Sequence, residues 1–390
     1  MTATVSLPAR HEFRDAAAPD WAKRYRGADF PYVGLAGDSV VLALSPDATQ
    51  LELLCITRGE PPFAGQEAIP GGILQWLNDH DTEATARREL REETGIDAPD
   101  YFERLDTFDE NGRDPRQWAG RQKGSTWEAM GVRIASVAYL AILGRHDRPE
   151  PFADDDAAAA RWAGVYELLP WEDTRAPRWL DFMKSLTKWL DSYWVATGDS
   201  EQRATRAARL GAAFGADRKT FRTWNEETVE LRFRLLRDAG LLPEAHRNRW
   251  GEPMGEPPMG DPLLGESLAF DHRLILAAAL GRVRGKVKYV PALLAALMGT
   301  APATMAELHQ ALETVSGRWI YRPNLFRVLT ERRGVVTASS AAAPRKRGQR
   351  GVSPTLYHFT RGSATARLDP SMRIPWRPPT WHPKTNSTPR

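Results

Sequence analysis

The stretch RELREETGI, residues 88–96, places three glutamates close together in a helix-forming segment. Glu89, Glu92 and Glu93 stand at positions i, i+3 and i+4, so a helix brings all three carboxylates onto one face. Like charges at this spacing destabilise a helix by about 0.2–0.5 kcal/mol per pair. A divalent cation removes that repulsion, because hard Mg²⁺ prefers carboxylate and phosphate oxygens. The pattern therefore indicates either a metal-binding face or an ordinary solvated Glu/Arg helix, which Gly95 ends in both cases.

The complete string, together with the Gly71-Gly72 pair before it, resembles the core of the Nudix box, Arg-Glu-apolar-x-Glu-Glu-x-Gly-apolar. The resemblance implies an α/β Nudix fold, in which a mixed sheet packs between helices. It also implies that Glu89, Glu92 and Glu93 bind a divalent cation, Mg²⁺ or Mn²⁺. Gly71 and Gly72 are then candidates for the ligand-binding loop.

The same residues are the candidate catalytic set. A metal held by Glu92 and Glu93 would stabilise the charge that develops on a pyrophosphate as a P–O bond breaks. Glu89 would complete the metal shell or help to activate water. Arg88 either pairs with a helix carboxylate, as the resemblance implies, or contacts phosphate. Pairing is favoured, because the fixed guanidinium fork can hold a glutamate in orientation.

One position departs from the box. The family has a glutamate eight residues before the arginine, and this chain has His80 there. The family's glycine would fall at Leu74, whereas Gly72 lies two residues upstream, which implies a longer loop. Asp79 and Asp81 flank the histidine, and they either replace the missing carboxylate or cap the following helix, the role we favour. We therefore expect metal binding with slow hydrolysis.

Composition favours a cytoplasmic protein of several domains. The chain has 390 residues, which is long enough for two or three domains with their own cores, and its formal net charge is +3. Its single cysteine, Cys55, excludes an internal disulfide framework and is expected in a buried strand. The N-terminal residues lack a signal-peptide core, and no run approaches the roughly 18 apolar residues of a membrane span.

The composition and the predicted secondary structure change along the chain and divide it into five segments. Strand-like runs with one strong helix give way to helical sequence that carries an aromatic stripe between Trp179 and Trp194. We interpret this stripe as a packing or dimer face rather than a platform for nucleotide stacking. The predicted segments are an N-terminal extension (1–29), a Nudix domain (30–169), a helical insertion with a Pro/Gly linker (170–266), a linking helix with a winged helix-turn-helix (267–362) and a Pro-rich basic tail (363–390), which we expect to be disordered.

Two short helices near the C-terminus have the spacing of a helix-turn-helix. Thr304 and Glu307 form a capping box that opens the first helix, and Gly317 ends it. Pro323 suits the first turn of the second helix. A hairpin of two strand-like runs follows, as in the wing of a winged helix. The pattern predicts a DNA-binding module.

Basic residues are concentrated in the same region. Residues 318–390 contain fifteen Lys and Arg but only two acidic residues. Such a tail is either a solubilising segment or part of a nucleic-acid surface, and the helix-turn-helix pattern favours the second. The second helix would bring three residues to base edges, and the wing would bring four to phosphates. These candidates are Arg322, Asn324 and Arg327 on the helix, and Arg345, Lys346, Arg347 and Arg350 on the wing.

The order of Nudix domain, linking helix and winged helix resembles the Nudix-related transcriptional regulators of the NrtR family. The resemblance implies a homodimer that binds ADP-ribose or a related nucleotide and a double-stranded DNA operator. Arg58 and Arg113 are candidates for binding anionic ligand atoms, with surface salt bridges as the alternative. Local strings that support the resemblance are RGEPPF (58–63), RDPR (113–116), VAY (137–139) and AFDHR (269–273).

Two functional hypotheses remain from the sequence. In the first, the Nudix domain of a DNA-binding regulator senses a nucleotide and retains residual Mg²⁺-dependent pyrophosphatase activity. In the second, the chain is an active Nudix hydrolase of ADP-ribose or an NAD-related substrate, and its C-terminal domain is an accessory. We favour the first.

Overall fold

The computed structural model describes residues 33–118, 133–151, 157–258, 264–332, 335–343, 353–360 and Arg377. The predicted wing residues Arg345, Lys346, Arg347 and Arg350 lie outside these ranges, as do the N-terminal extension and, apart from Arg377, the predicted tail. Within the described ranges, no helix has the length and apolar character needed to cross a membrane.

A seven-stranded mixed sheet forms the first half of the structure, as the sequence predicts. Strands β1 and β6 pair in parallel, and the other pairings are antiparallel, in the order β3-β2-β1-β6-β5 with β4 on β1 and β7 on β2. The strands are β1 (Val33–Leu44), β2 (Leu51–Arg58), β3 (Glu67–Ala68), β4 (Gly71–Ile73), β5 (Tyr101–Phe108), β6 (Arg133–Leu143) and β7 (Ala157–Gly164).

Both faces of the central strand β1 are covered, which explains its nearly continuous apolar sequence. Alternate side chains point to opposite faces of a strand. Leu42 belongs to the main hydrophobic core, whereas Val41 and Ala43 pack with Leu90 of helix α1 (Thr82–Thr94). The sheet therefore holds α1, with its glutamates, against one face. Cys55 is buried in β2, as expected, and burial raises the pKa of its thiol.

Helix α1 begins and ends where its sequence predicts. The Asp81 side chain accepts a hydrogen bond from the Ala84 N–H at 2.9 Å and caps the N-terminus. Gly95 ends the helix with φ = 68°, a left-handed conformation that glycine adopts at little cost. Asp79 does not cap the helix but binds Arg88, so the capping interpretation is correct for Asp81 alone.

The aromatic stripe of the insertion is a packing face. Trp179, Phe182 and Trp194 are buried in the main core, and Trp179 makes edge contacts with Phe221 and Trp224. The helices of this region are α2 (Val165–Leu168), α3 (Trp179–Trp189), which continues as a π-helix (Leu190–Val195), α4 (Ser200–Phe214) and α5 (Val229–Asp238), followed by a 3-10 turn (Pro243–His246).

A winged helix-turn-helix follows the long helix α6 (His272–Lys286). Thr304 and Glu307 form the predicted capping box, and Gly317 ends that helix at φ = 64°. The second helix has Pro323 in its first turn, as predicted, and its last turn is a π-helix (Val328–Arg332). The elements are α7 (Pro291–Met298), β8 (Ala303–Thr304), α8 (Met305–Ser316), α9 (Arg322–Arg327), β9 (Val336–Ala342) and β10 (Thr355–Phe359), with strand order β8-β10-β9.

One buried ion cluster ties these parts together. Glu172, after α2, accepts hydrogen bonds from Arg232 of α5 at 2.6 and 2.8 Å and from Arg284 of α6 at 2.6 Å. All three side chains are fully buried. Burial opposes the charge of the carboxylate, but the two guanidinium groups outweigh it and lower the pKa of Glu172. The cluster joins the segment after the sheet, the insertion and the linking helix.

Replacing Glu172 by alanine should destabilise the whole chain, because it leaves two buried guanidinium groups without their shared carboxylate. We expect a loss of about 3–5 kcal/mol in the free energy of unfolding, measured by urea denaturation. Glu230→Ala is the matched control, because Glu230 forms a partly exposed i,i+4 pair with Arg234. That control should lose less than about 1 kcal/mol. Equal losses in the two variants would contradict the role assigned to the cluster.

Candidate functional site

A cleft of about 290 Å³ opens beside the glutamate face of α1. Its walls come from β1, β2 and β4, from the loop that carries Arg113, and from the start of α6. We call it the carboxylate cleft. Residues that line it include Asp38, Arg58, Gly71, Gly72, Glu89, Glu93, Arg113, Arg116, Phe270 and His272.

The two glycines are required by close approach. A Cβ atom on Gly71 would lie 2.2 Å from Oδ1 of Asp38, and one on Gly72 would lie 2.3 Å from Oε1 of Glu89. The Gly71 N–H also donates to Oε2 of Glu93 at 2.9 Å. The glycine pair therefore allows strand β4 to lie directly against the carboxylates, and ligand binding by these two residues stays a prediction.

Three carboxylates in the cleft have raised pKa values. Burial, together with the nearby Glu89 and Asp38, raises the pKa of Glu93 to about 8 against the opposing effect of the hydrogen bond from Gly71. Burial also raises the pKa values of Glu89 and Asp38. A group of buried carboxylates with raised pKa values has the hard oxygen ligands that suit a divalent cation.

The predicted three-glutamate set is divided in the structure. Arg88 donates to Oε2 of Glu92 at 2.7 Å, and Glu92 does not line the cleft. The same guanidinium lies 2.8 Å from Oε1 of Glu89. No three acidic, histidine or cysteine side chains among the described residues are grouped so that they could hold a metal ion. The three-glutamate metal site stays a prediction, with Glu89 and Glu93 as its members in the cleft.

Arg88 forms the predicted ion pairs, and its strongest partner is one that the sequence left open. Its Nε and Nη2 donate to the two carboxylate oxygens of Asp79 at 2.9 and 2.8 Å. These hydrogen bonds lower the pKa of Asp79 to about 2. His80 is 76% exposed and contacts Asp81, so the residue at the family's glutamate position contributes nothing to the cleft.

Arg113 and Arg58 both line the cleft. Arg113 forms a two-pronged salt bridge with Asp271, at 2.9 and 2.7 Å, and this salt bridge is buried rather than at the surface. Arg58 donates to the Pro62 carbonyl at 2.8 Å and lies 4.9 Å from the centre of the Phe270 ring. Binding of anionic ligand atoms by either arginine stays a prediction.

Several residues of the cleft were not predicted as site residues from the sequence, among them Asp38 and His272. Asp38 is a lone acid in the apolar strand β1, a signal that was present in the sequence. His272 lies in the string 269–273, but only the fold brings it to the cleft, while its neighbour Asp271 lines the adjoining cavity. Nδ1 of His272 accepts the Ile69 N–H at 3.1 Å, so the neutral ring carries its proton on Nε2. Burial, with Arg113 nearby, lowers the pKa of His272 well below its ordinary value.

The predicted base-reading residues lie on helix α9. Arg322 and Arg327 are exposed on this helix, as a groove-reading helix requires. Asn324 is part of the same helix, and its side chain lies outside the described part of the structure. The contacts of these residues with DNA stay predictions.

Comparison with known proteins identifies the first half of the chain. Residues 36–189 match the family model described as the NUDIX domain. The match assigns this part of the chain, less than half of its length, to the NUDIX domain family. The glutamate-bearing helix, the glycine pair and, apart from the first three residues of β1, the mixed sheet fall within this match.

The sequence is also similar to the ADPR responsive transcriptional repressor NtrR of Acinetobacter baylyi, with 34% identity over 96 residues. This match covers 25% of the chain and 37% of the relative, a little more than one third of its length. Together with the domain match, it confirms the predicted resemblance to NrtR-type Nudix proteins.

Two solved structures are similar over different lengths. Shewanella oneidensis NrtR complexed with a 27mer DNA is 18% identical, covering 87% of this chain and 98% of that chain at a TM-score of 0.48. The NUDIX domain of the same protein, complexed with ADP ribose, is 24% identical, covering 38% and 82% at a TM-score of 0.31.

The raised pKa of Glu93 predicts a pH-dependent stability in metal-free protein. The folded state retains a proton on Glu93 up to about pH 8, whereas the ordinary value is 4.5, so this group's stabilisation is lost as pH rises between these values. Glu93→Gln should remove that loss. Its melting temperature should match the wild type near pH 4.5 and exceed it near pH 8, measured in EDTA.

Glu201→Gln, at an exposed position in α4, is the control for this measurement. It should follow the wild-type curve throughout. A Glu93→Gln curve parallel to the wild-type curve across the whole range would show that Glu93 ionises in the cleft without cost.

Proposed function

We propose that this chain is a DNA-binding transcriptional regulator whose Nudix domain senses ADP-ribose or a related nucleotide. One observation carries the proposal: the wall of the carboxylate cleft is the start of the helix that leads into the winged helix. Phe270 and His272 line the cleft, and α6 begins at His272. A ligand in the cleft therefore touches the segment that positions the DNA-binding module.

Specific bonds hold that segment on the Nudix sheet. The Ala269 N–H donates to the Glu67 carbonyl at 2.7 Å, the His272 ring accepts the Ile69 N–H, and Asp271 pairs with Arg113. A ligand phosphate would compete with Asp271 for the Arg113 guanidinium. Loss of that pair would loosen the start of α6, so ligand binding and winged-helix position become coupled equilibria.

The ligand class follows from the cleft. Arg58, Arg113 and Arg116 line it with positive charge suited to a pyrophosphate, opposite the carboxylates. Glu89 and Glu93 would hold the divalent cation, Mg²⁺ or Mn²⁺, which when bound neutralises phosphate charge. The Acinetobacter relative, described as an ADPR responsive repressor, supports ADP-ribose as the first ligand to test.

DNA recognition would use paired copies of the winged helix. A single module offers few base contacts, and dimeric regulators bind two half-sites. We propose a homodimer in which Arg322, Asn324 and Arg327 approach base edges, and the basic wing, Arg345 to Arg350, meets phosphates. ADP-ribose would favour a dimer with a wrong spacing of the two winged helices and so lower operator affinity.

Retained pyrophosphatase activity is the second candidate function. It is favoured by the position of Glu89 and Glu93, whose carboxylates lie in the same cleft as the arginines. Two observations argue against fast turnover. His80 is exposed, and Arg88 is already paired with Asp79, Glu89 and Glu92. The residues therefore suit a sensor with slow hydrolysis better than a dedicated enzyme.

The regulator proposal is tested by titrating the promoter DNA of this gene at two salt concentrations, with and without ADP-ribose. Arg327→Ala should relax preference at particular base pairs and cost about 1–3 kcal/mol where its hydrogen bonding to a base is bidentate. Neutralising the four wing residues should weaken binding to all sequences and flatten the salt dependence, by about 0.9 log unit of slope for each phosphate that the protein no longer neutralises.

Arg91→Ala is the matched control, because Arg91 is exposed on α1 and pairs with Asp97. Its DNA binding should equal that of the wild type. ADP-ribose should lower the operator affinity of the wild type and of this control. A wild-type chain without sequence preference on its own promoter would remove the regulator proposal in favour of the enzyme.

Hydrolysis should be slow and dependent on metal. We expect AMP release from ADP-ribose with Mg²⁺ to be far below that of a dedicated pyrophosphatase, and Glu93→Gln to abolish the residual rate because it removes a carboxylate from the cleft. His80→Gln should leave the rate unchanged, because His80 does not line the cleft. Rapid release of AMP and ribose phosphate by the wild type would contradict the sensor proposal.

A further inference from the structure

A second cavity, of about 300 Å³, adjoins the carboxylate cleft. We call it the insertion cavity, because α5 and the loop after it supply one side through Phe233, Glu244 and Arg247. Arg113 and Phe270 line both cavities, so the two spaces are neighbours. Each alone is at the small end of the range of about 300–1,000 Å³ that ligand pockets occupy.

Glu244 presents an unsatisfied acceptor in this wall. Its side chain is only 7% exposed, and Oε2 accepts from Arg273 at 2.7 Å. Its other oxygen, Oε1, is buried and has no hydrogen-bond partner among the described residues. A buried carboxylate oxygen without a donor is costly, and such a group in a cavity wall calls for a ligand or water that donates to it.

Three of the four arginines that line this wall are held by other protein groups. Arg113 pairs with Asp271, and Arg237 pairs with Glu110 at 2.9 Å. Arg247 is held by the carbonyls of Phe270 and Leu268, at 2.8 and 2.6 Å. Arg249 also lines the wall, where it lies over the Trp250 ring. A phosphate in this cavity would lie against the free carboxylate oxygen of Glu244, and the two negative charges would repel each other. A neutral group with several hydroxyls suits the cavity better, because hydroxyls both donate and accept.

The insertion cavity also has apolar walls. Phe63 and Phe233 line the cavity beside the polar groups. Gly251 leaves room for the Phe63 ring, since a Cβ there would lie 2.4 Å from it. Aromatic and apolar walls with a few placed carboxylate, amide and guanidinium groups form a pocket that can bind and orient a sugar ring.

We propose that the insertion cavity binds the sugar of a nucleoside-diphosphate sugar, with ring hydroxyls donating to Oε1 of Glu244. The inference rests on the proposed binding of the pyrophosphate in the carboxylate cleft. The helical insertion thereby acts as a specificity element, because its residues, rather than those of the Nudix sheet, meet the part of the ligand that distinguishes one diphosphate sugar from another.

The test compares two non-hydrolysable probes, α,β-methylene-ADP-ribose and α,β-methylene-ADP, by calorimetry with the full chain and Mg²⁺. The wild type should bind the sugar-bearing probe more tightly. Glu244→Gln should weaken binding of that probe by about tenfold or more, the weight of a hydrogen bond to a charged group, and leave the ADP probe unchanged. Glu256→Gln, exposed in the same loop, should bind both probes like the wild type.

The outcomes separate the two proposals. Equal wild-type affinity for the two probes would overturn the sugar site and leave nucleotide sensing intact. Equal weakening of both probes by Glu244→Gln would assign Glu244 a structural role and also overturn the site. Failure to bind either probe would overturn the proposed function and this inference with it. The wild-type comparison needs no variant, so a misfolded Glu244→Gln protein does not prevent the test.

Discussion

The shared carboxylate of Glu172 is the constraint on which the arrangement of the chain depends. Two arginines from helices far apart in sequence, Arg232 and Arg284, meet it where the side chains are fully buried. A buried ion pair of this kind contributes little net stability compared with apolar packing, but separating it costs several kcal/mol. It therefore selects one packing of the insertion and the linking helix against the sheet, rather than simply adding to stability.

The hydrophobic core is also continuous across the predicted segments. Leu53 of the sheet, Phe233 of the insertion and Leu312 of the winged helix belong to one buried cluster. Movement at one end of this core cannot be absorbed locally, because close-packed interiors transmit strain. A small change at the start of α6, where the cleft wall and the helix meet, is consequently well placed to alter the position of the winged helix.

Local sequence patterns predicted the parts of the site that depend on neighbours along the chain. Gly95 ends α1, and Thr304 with Glu307 caps α8, because caps are made within one helical turn. The pairing of Arg88 with Asp79 was harder to predict. Asp79 and Asp81 both stand just before the helix, and the path of the loop decides that Asp81 caps the helix while Asp79 binds Arg88.

The sequence by itself determined the glutamate helix and the helix-turn-helix, since each is encoded in short-range spacing, and the resemblance of residues 88–96 to the Nudix box indicated the fold of the first domain. Tertiary structure alone decided that Glu92 leaves the cleft with Arg88, that Asp38 and His272 enter it, and that Glu244 faces a second cavity. These groups are separated by up to 234 positions, Asp38 to His272. Their meeting depends on burial and long-range charge pairing, which no local pattern encodes.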